Sequence, residues 1–272
     1  MAEKKLNLKQ ADDLENYWQE SQKNHLIQEL NAGRTLEQIL QNHSDFKKAF
    51  KKQGILKVVK CSDGRVNNNS KINGDEKLGL AGSGILFSSQ ELNDFVKKNR
   101  GRIKEITSHD NCGAGAVKYA QMQKNGEVLP AGINSSDELA QWFAKKIAKL
   151  LGAKYRHIDK KEFSNPVHNE RMLIVDGTAK FDPNRLSYFP STFISAALGL
   201  GLDLNYVVSE AQILANISLG DHGFGSRFDK NNPFYLLIIV ENSEQLQKVE
   251  NALQDFVNSQ KGRIKMLSLI VS

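Results

Sequence analysis

Both cysteines of this 272-residue chain lie in short polar clusters that follow apolar segments. Cys61 opens the sequence Cys-Ser-Asp-Gly-Arg, and Cys112 closes the sequence His-Asp-Asn-Cys that begins at His109. Two thiolates and one imidazole form a three-ligand set for zinc. Three protein ligands with a fourth position left open are typical of a catalytic zinc site rather than a structural one. We therefore predict that Cys61, His109 and Cys112 bind Zn²⁺.

The two charged residues that follow Cys61 suggest how such a site would work. Two thiolates cancel the charge of Zn²⁺, so water bound there is acidified less than water on zinc with three neutral histidines. An acceptor must then orient the hydroxide, and Asp63 is the natural candidate. Left alone, that carboxylate could fill the open zinc position, but a bidentate ion pair with Arg65 would hold it away. We therefore expect Asp63 and Arg65 to be catalytic residues that open or close the site.

The paired motif resembles that of the β-class carbonic anhydrases. Cys-x-Asp-x-Arg followed by His-x-x-Cys-Gly is similar to the pattern of that family, over roughly residues 55–180. Leu80-Ala81-Gly82-Ser83 is similar to the family's Asn-Ala-Gly segment. It departs from the family where Gly79 and Leu80 stand at the arginine and asparagine positions, and where Ser83 replaces the final asparagine.

The resemblance implies an activity and an assembly. It implies Zn²⁺ on Cys61, His109 and Cys112, with Asp63 and Arg65 as the aspartate–arginine dyad of the family. The activity would be reversible hydration of CO₂ to bicarbonate by zinc-bound hydroxide, with CO₂ and bicarbonate as the small-molecule partners. The family is usually dimeric, and its N-terminal helical arm packs on the partner. We therefore expect a homodimer or a higher homo-oligomer.

Other interpretations of the same residues stay open. One is a related hydrolase that acts on carbonyl sulfide or carbon disulfide. Another is a non-catalytic zinc-scaffold or binding protein in which Asp63 closes the metal site. A third is a metal-free nucleophilic enzyme that uses Cys112 and His109, which leaves the Cys61 cluster without a role. His157 and His168 have no partner at metal-ligand spacing, so we do not assign them to the site.

Short apolar runs place both motifs at the carboxyl ends of predicted strands. The strand at residues 55–59 delivers Cys61, and the strand at residues 102–107 delivers His109 and Cys112. Binding sites in open α/β sheets form at those ends. Strand-like and helix-like segments alternate along the chain, which predicts an α/β fold with a mainly parallel β-sheet core flanked by helices. The predicted elements after residue 60 are a strand or strand–loop at 78–87, helices at 90–99, from 113 and at 136–151, and a strand at 171–175.

We divide the chain into three regions and find no internal repeat. The first, residues 1–54, is an N-terminal helical arm with helices over 8–31 and from Thr35 to Gly54. The second, residues 55–185, is the zinc core. The third, residues 186–272, is a C-terminal α/β extension with a β-α-β unit at its end. Its predicted elements are helices near 190–200 and 206–218, a strand at 234–240, a helix at 243–258 and a strand at 263–271.

Composition excludes several classes of protein. The net charge of +6 is spread along the chain without a nucleic-acid-binding motif, so we expect no nucleic-acid partner. No apolar run is long enough to span a bilayer, and the polar N-terminus is not a secretory signal. Two cysteines cannot form a disulfide framework. We therefore expect a cytoplasmic protein without a membrane partner.

Overall fold

The computed structural model describes residues 8–50, 57–67, 76–163, 167–221 and 223–271. The predicted end of the arm at Gly54 and the first two residues of the strand predicted at 55–59 lie outside these ranges. Within them, eight strands form two four-stranded sheets, and every pairing in both sheets is parallel. The α/β fold with a parallel core flanked by helices is therefore confirmed.

The first sheet has the strand order β2-β1-β3-β4. We call residues 57–163 the first lobe. Its helices follow the cap signals of the sequence, since Ser88 and Ser135 accept backbone N–H bonds at the starts of α5 and α7. The elements are β1 (Lys57–Cys61), α4 (Gly64–Asn67), β2 (Glu76–Leu80), α5 (Ser89–Asn99), β3 (Ile103–His109), α6 (Gly113–Lys124), α7 (Ser136–Leu151) and β4 (Lys154–Ile158).

The second sheet has the order β6-β5-β7-β8, which repeats the second-first-third-fourth order of the first. We call residues 167–271 the second lobe. Residue 185, where we divided the second and third regions, lies between two neighbouring strands of this sheet. Its elements are β5 (Met172–Asp176), β6 (Thr192–Ser195), α8 (Leu204–Leu219), β7 (Phe234–Val240), α9 (Ser243–Ser259) and β8 (Ile264–Ile270).

Three N-terminal helices pack on the second lobe of their own chain. They are α1 (Leu8–Gln22), α2 (His25–Asn31) and α3 (Leu36–Leu40). The helix predicted over 8–31 is divided because Asn24 caps a new helix by accepting the Ile27 N–H. Buried side chains of α2 and α3 share one apolar cluster with the second sheet: Leu26, Ile27, Leu30, Leu36 and Ile39 with Met172, Ile174, Tyr235, Leu237 and Ile239. The helix predicted from Thr35 to Gly54 is shorter in the structure: α3 ends at Leu40, and only a 3₁₀ helix at Phe46–Ala49 follows in the described residues up to 50.

One predicted helix differs from the structure, and one strand of the structure was not predicted. The helix predicted near 190–200 is wrong, because Thr192–Ser195 forms strand β6, which is buried along its whole length. Strand β4 was not predicted, because its sequence Lys-Tyr-Arg-His-Ile is mostly polar and only its last residue is fully buried. Edge strands with one solvated side carry little apolar signal.

The two lobes meet where β6 lies beside β2. The Ala196 N–H donates to the Gly79 carbonyl at 2.8 Å, and the Ile194 N–H donates to the Ser62 carbonyl at 3.2 Å. A Cβ atom added at Gly79 would lie 2.0 Å from the Ile194 carbonyl oxygen. Position 79 therefore has room for glycine alone. In the described part of the chain, no helix has the length and apolarity needed to cross a membrane.

Candidate functional site

The three predicted ligand residues meet at the carboxyl edge of the first sheet. Cys61 ends β1, His109 ends β3, and Cys112 is the N-cap of α6. The two Sγ atoms are 4.0 Å apart, and one donor atom from each of the three residues lies within 4.8 Å of the others. All three side chains are buried. Cys61, His109 and Cys112 thus form a group that could hold a metal ion.

The ring of His109 is oriented for metal binding. Its Nδ1 lies 2.8 Å from the Asp110 carbonyl oxygen, so Nδ1–H donates there and Nε2 is the ring nitrogen left to bind a metal. Nε2 is buried and makes no hydrogen bond to any described residue. A buried nitrogen without a partner is costly, and a bound cation would remove that cost.

The two thiols need positive charge to ionise together. Contact with Cys112 and burial raise the pKa of the Cys61 thiol well above its usual value. Two backbone N–H groups already point at the sulfurs, Gly82 at 3.2 Å from the Cys61 Sγ and Gly115 at 3.4 Å from the Cys112 Sγ. Metal binding would displace the remaining protons, because a metal coordinates the thiolate form.

Asp63 and Arg65 form a buried ion pair beside the three ligands. Arg65 Nη2 lies 2.7 Å from Asp63 Oδ2, and Arg65 Nε lies 3.0 Å from Oδ1. Burial would raise the pKa of Asp63, but the charges of Arg65, His168 and His109 hold it well below its usual range. Asp63 Oδ2 lies 3.7 Å from the unpartnered Nε2 of His109. The carboxylate is therefore ionised and adjacent to the ligand atoms.

An aromatic ring covers this pair on one side. The guanidinium carbon of Arg65 lies 5.1 Å from the centre of the Phe163 ring, a cation–π distance. The same ring meets His109 edge-on at 5.7 Å. Phe163 also packs on an apolar cluster formed by Val58, Val66 and Ile158. The surroundings of the ligand group thus combine one buried ion pair with an apolar wall.

Two residues from the start of the second lobe reach the site and were not predicted. His168 Nδ1 lies 3.2 Å from Glu170 Oε2 and 3.9 Å from Asp63 Oδ1. Glu170 is fully buried, and its Oε1 accepts the Gly64 N–H at 2.9 Å. Gly64 lies between Asp63 and Arg65, so Glu170 fixes the turn that carries the ion pair. The short spacing of His168 and Glu170 is the only signal in the sequence, and nothing in it indicates proximity to Cys61.

Asp63, His168 and Glu170 are also close enough to share a cation. The bidentate contact with Arg65, however, already places one positive charge on Asp63. A second cation beside that guanidinium would be repelled. We therefore interpret these three residues as a hydrogen-bonded support of the site and not as a second metal centre.

The second lobe also supports the turn that follows β2. Glu210 of α8 is fully buried and accepts the Ala81 N–H, next to the Gly82 N–H that donates to Cys61. The hydroxyls of Ser195 and Tyr206 donate to the same carboxylate. Burial raises the pKa of Glu210 to about 7, although these donors lower it. One carboxylate therefore links α8 and β6 to the turn beside a ligand.

Asp110 and His157 lie together on the outer side of His109. His157 Nε2 is 2.9 Å from Asp110 Oδ1, and the Lys160 N–H donates to Asp110 Oδ2 at 3.0 Å. The Asp110 carboxylate is thus engaged away from the ligand atoms, and only its backbone carbonyl serves His109.

Comparison with models of protein families, with curated proteins and with solved structures gave no match to this chain. The likeness to β-class carbonic anhydrases therefore stays a prediction from the two motifs. The function has to be inferred from the geometry of the buried group and its neighbours.

Proposed function

We propose that this protein is a zinc-dependent, carbonic anhydrase-like enzyme that hydrates CO₂ reversibly to bicarbonate. The observation that carries the proposal is the ionised carboxylate of Asp63, which Arg65 holds 3.7 Å from the unpartnered Nε2 of His109. A metal site that served structure alone would need a fourth ligand in that place. Here the candidate fourth ligand is bound to an arginine.

The donor set fits Zn²⁺. Zinc–thiolate bonds of about 2.3 Å in a tetrahedron separate two sulfurs by about 3.8 Å, close to the 4.0 Å between the Sγ atoms of Cys61 and Cys112. Soft thiolates and an imidazole favour zinc over the hard cations Mg²⁺ and Ca²⁺. When bound, Zn²⁺ would lower the pKa of water and so supply a nucleophile at neutral pH.

Asp63 would orient the attacking water. An ionised carboxylate only accepts hydrogen bonds, so it selects the orientation in which a lone pair of the water oxygen faces away from it. Arg65 binds both carboxylate oxygens and so would keep Asp63 from ligating the metal. Glu170 supports this arrangement through its bond to the Gly64 N–H. Phe163, whose ring contacts Arg65 and His109, would supply apolar surface for an uncharged, linear molecule such as CO₂.

The test is CO₂ hydration by stopped flow, together with metal analysis of the purified chain. We expect about one zinc per chain and hydration above the buffer background. Cys61→Ser should lose both zinc and activity, because it removes a ligand at the end of β1. An exposed variant distant from the site, Lys124→Gln, is the control and should retain both.

The outcomes distinguish the alternatives that the sequence left open. Zinc without hydration favours the non-catalytic scaffold, unless the same preparation releases sulfide from carbonyl sulfide or carbon disulfide. A chain that contains no metal and cannot be loaded with zinc would contradict the proposal and favour Cys112 as a metal-free nucleophile.

A further inference from the structure

A cavity of about 270 Å³ lies between the two lobes, at the far end of β1 from Cys61. Lys57, the first residue of β1, forms part of its wall. Its other lining residues come from the end of α5, the start of β3 and the loops that follow β5 and β6: Lys98, Asn99, Arg102, Thr178, Ala179, Lys180, Gly199 and Leu200.

The charge of this wall is one-sided. Four of its residues are basic, and none of the lining residues in the described part of the chain is acidic. Lys98 Nζ donates to the Gly201 carbonyl at 3.0 Å, and Lys180 Nζ lies 2.9 Å from Glu241. Glu241 is mostly exposed, so solvent screens that pair. Four cations on one concave surface attract anions and disfavour an empty cavity.

The backbone of the cavity is fixed by two features. The buried Asp176 carboxylate accepts the N–H groups of Thr178 and Phe181, each at 2.9 Å, which shapes the loop after β5. Gly199 packs against that loop so closely that an added Cβ would lie 2.3 Å from the Ala179 nitrogen. The loop is therefore held in place before any ligand arrives, which reduces the entropy cost of binding.

The cavity and the ligand group lie at the carboxyl edges of different sheets, where α/β proteins bind ligands. The ligand group lies at the ends of β1 and β3, and the cavity lies beside the loops that follow β5 and β6. The second lobe carries no equivalent of the metal ligands, since β7 ends in Val240 and Asn242 caps α9. Lys180 follows β5 at this edge, and the other basic residues of the cavity come from the first lobe.

We propose that this cavity binds a small organic anion with two or more negative charges, carried by phosphate or carboxylate groups. Its volume is just below the lower limit of about 300 Å³ for drug-sized ligand pockets, which suits a small metabolite better than a monovalent ion. Lysine side chains bind phosphate and carboxylate groups as point charges. The proposal does not depend on CO₂ hydration, because it concerns other residues and is tested by binding alone.

The experiment is isothermal titration calorimetry on the full chain with pyrophosphate and with citrate, and with acetate as a monovalent anion. The cavity variant combines Lys98→Gln, Arg102→Gln and Lys180→Gln, all surface residues whose loss should leave the fold intact. The matched control removes the same charge elsewhere, by Lys97→Gln, Lys124→Gln and Lys149→Gln. Zinc content and thermal unfolding of each variant report that it is folded.

We expect pyrophosphate or citrate to bind more tightly than acetate. The cavity variant should bind at least about tenfold more weakly than wild type, because three charges that act on the same anion are removed. The control should change affinity much less, and the preferred probe identifies phosphate or carboxylate as the group recognised. The proposal is overturned if neither polyanion binds at millimolar concentration, or if both triple variants lose affinity equally.

Discussion

At the scale of single residues, Asp63 has two competing partners. Its carboxylate lies close enough to the ligand atoms to become a fourth ligand, yet both oxygens contact Arg65. Separating a buried ion pair leaves an uncompensated charge, which costs several kcal/mol. Arg65 also donates to the Asn111 carbonyl at 3.0 Å, so it is held from a second side. The position of one guanidinium therefore determines whether the proposed site is open.

Arg65→Ala should close the proposed site without emptying it. We expect zinc content to stay near one per chain while hydration falls roughly 10- to 100-fold, because the freed Asp63 can ligate the metal. Arg65→Lys, which keeps the charge but not the bidentate contact, should recover part of the rate. Stopped-flow rates across pH 6–9 measure this, and unchanged rates for Arg65→Ala at every pH would refute the role of Arg65.

Some residues of the site could be predicted from the local sequence, and others could not. Cys61, Asp63 and Arg65 form one five-residue motif, and His109 and Cys112 form another, so spacing alone predicted their meeting at one sheet edge. His168 and Glu170 could not be predicted because they follow no strand end of the first sheet. They reach Asp63 only through the packing of the second lobe, which the spacing of residues along the chain does not encode.

At the scale of elements, a helix of one lobe supports a turn of the other. Glu210 on α8 accepts N–H and O–H bonds from the turn after β2, from β6 and from its own helix. A fully buried carboxyl avoids the cost of an unpaired charge by remaining protonated. Its raised pKa of about 7 therefore couples the contact between the lobes to pH.

Glu210→Gln should flatten the pH dependence of stability. Because the pKa of Glu210 is about 7 in the folded chain and ordinarily 4.5, the protonated carboxyl favours folding fully below about pH 4.5, and that contribution is lost as pH rises through 7. At about 1.4 kcal/mol per pKa unit, the loss is on the order of 3 kcal/mol. Urea midpoints at pH 5 and pH 8 measure it. The exposed control Glu127→Gln should keep the wild-type slope, and an unchanged slope in Glu210→Gln would contradict the assignment.

Strands and helices were predictable where one pattern dominated. The strand at 234–240 and the helix at 136–151 have the predicted bounds, because a fully apolar run and a capped amphipathic repeat each allow one structure. The apolar residues of the segment at 190–200 are compatible with both a helix and a strand. The segment forms a strand because it pairs with β5. That pairing depends on tertiary structure, which a short-range sequence pattern does not predict.

At the scale of the whole molecule, the described residues form two sheets with the same strand order, and the group of Cys61, His109 and Cys112 lies at the edge of the first. The sequence, in which we found no repeat, does not indicate that the two sheets share a strand order. Two sheets can have the same topology although their side chains differ. The N-terminal helices and the edge of β2 both contact the second lobe of the same chain. The expected homodimer stays a prediction, and sedimentation equilibrium of the zinc-loaded protein would test it.

Gly79→Ala should destabilise the contact between the lobes. The added methyl group would lie 2.0 Å from a backbone oxygen, so the strands must separate. Overpacking of this kind costs about 1–3 kcal/mol. Gly126→Ala is the control: its Cβ meets nothing within 4 Å, so it reports only the strain of a left-handed backbone. Urea unfolding measures both, and a smaller loss for Gly79→Ala than for Gly126→Ala would argue against the contact.

The glycine at position 79 can be explained in two ways. It stands where the segment similar to β-class carbonic anhydrases would carry arginine. From the sequence alone, it would be interpreted as the loss of a motif residue. The crossing of β2 and β6 gives it another explanation, since a long side chain there would collide with the neighbouring strand. Glycine at this position is thus explained by the contact between two lobes of one polypeptide. Sequences that pair it with Cys-Ser-Asp-Gly-Arg are the ones in which to look for the same architecture.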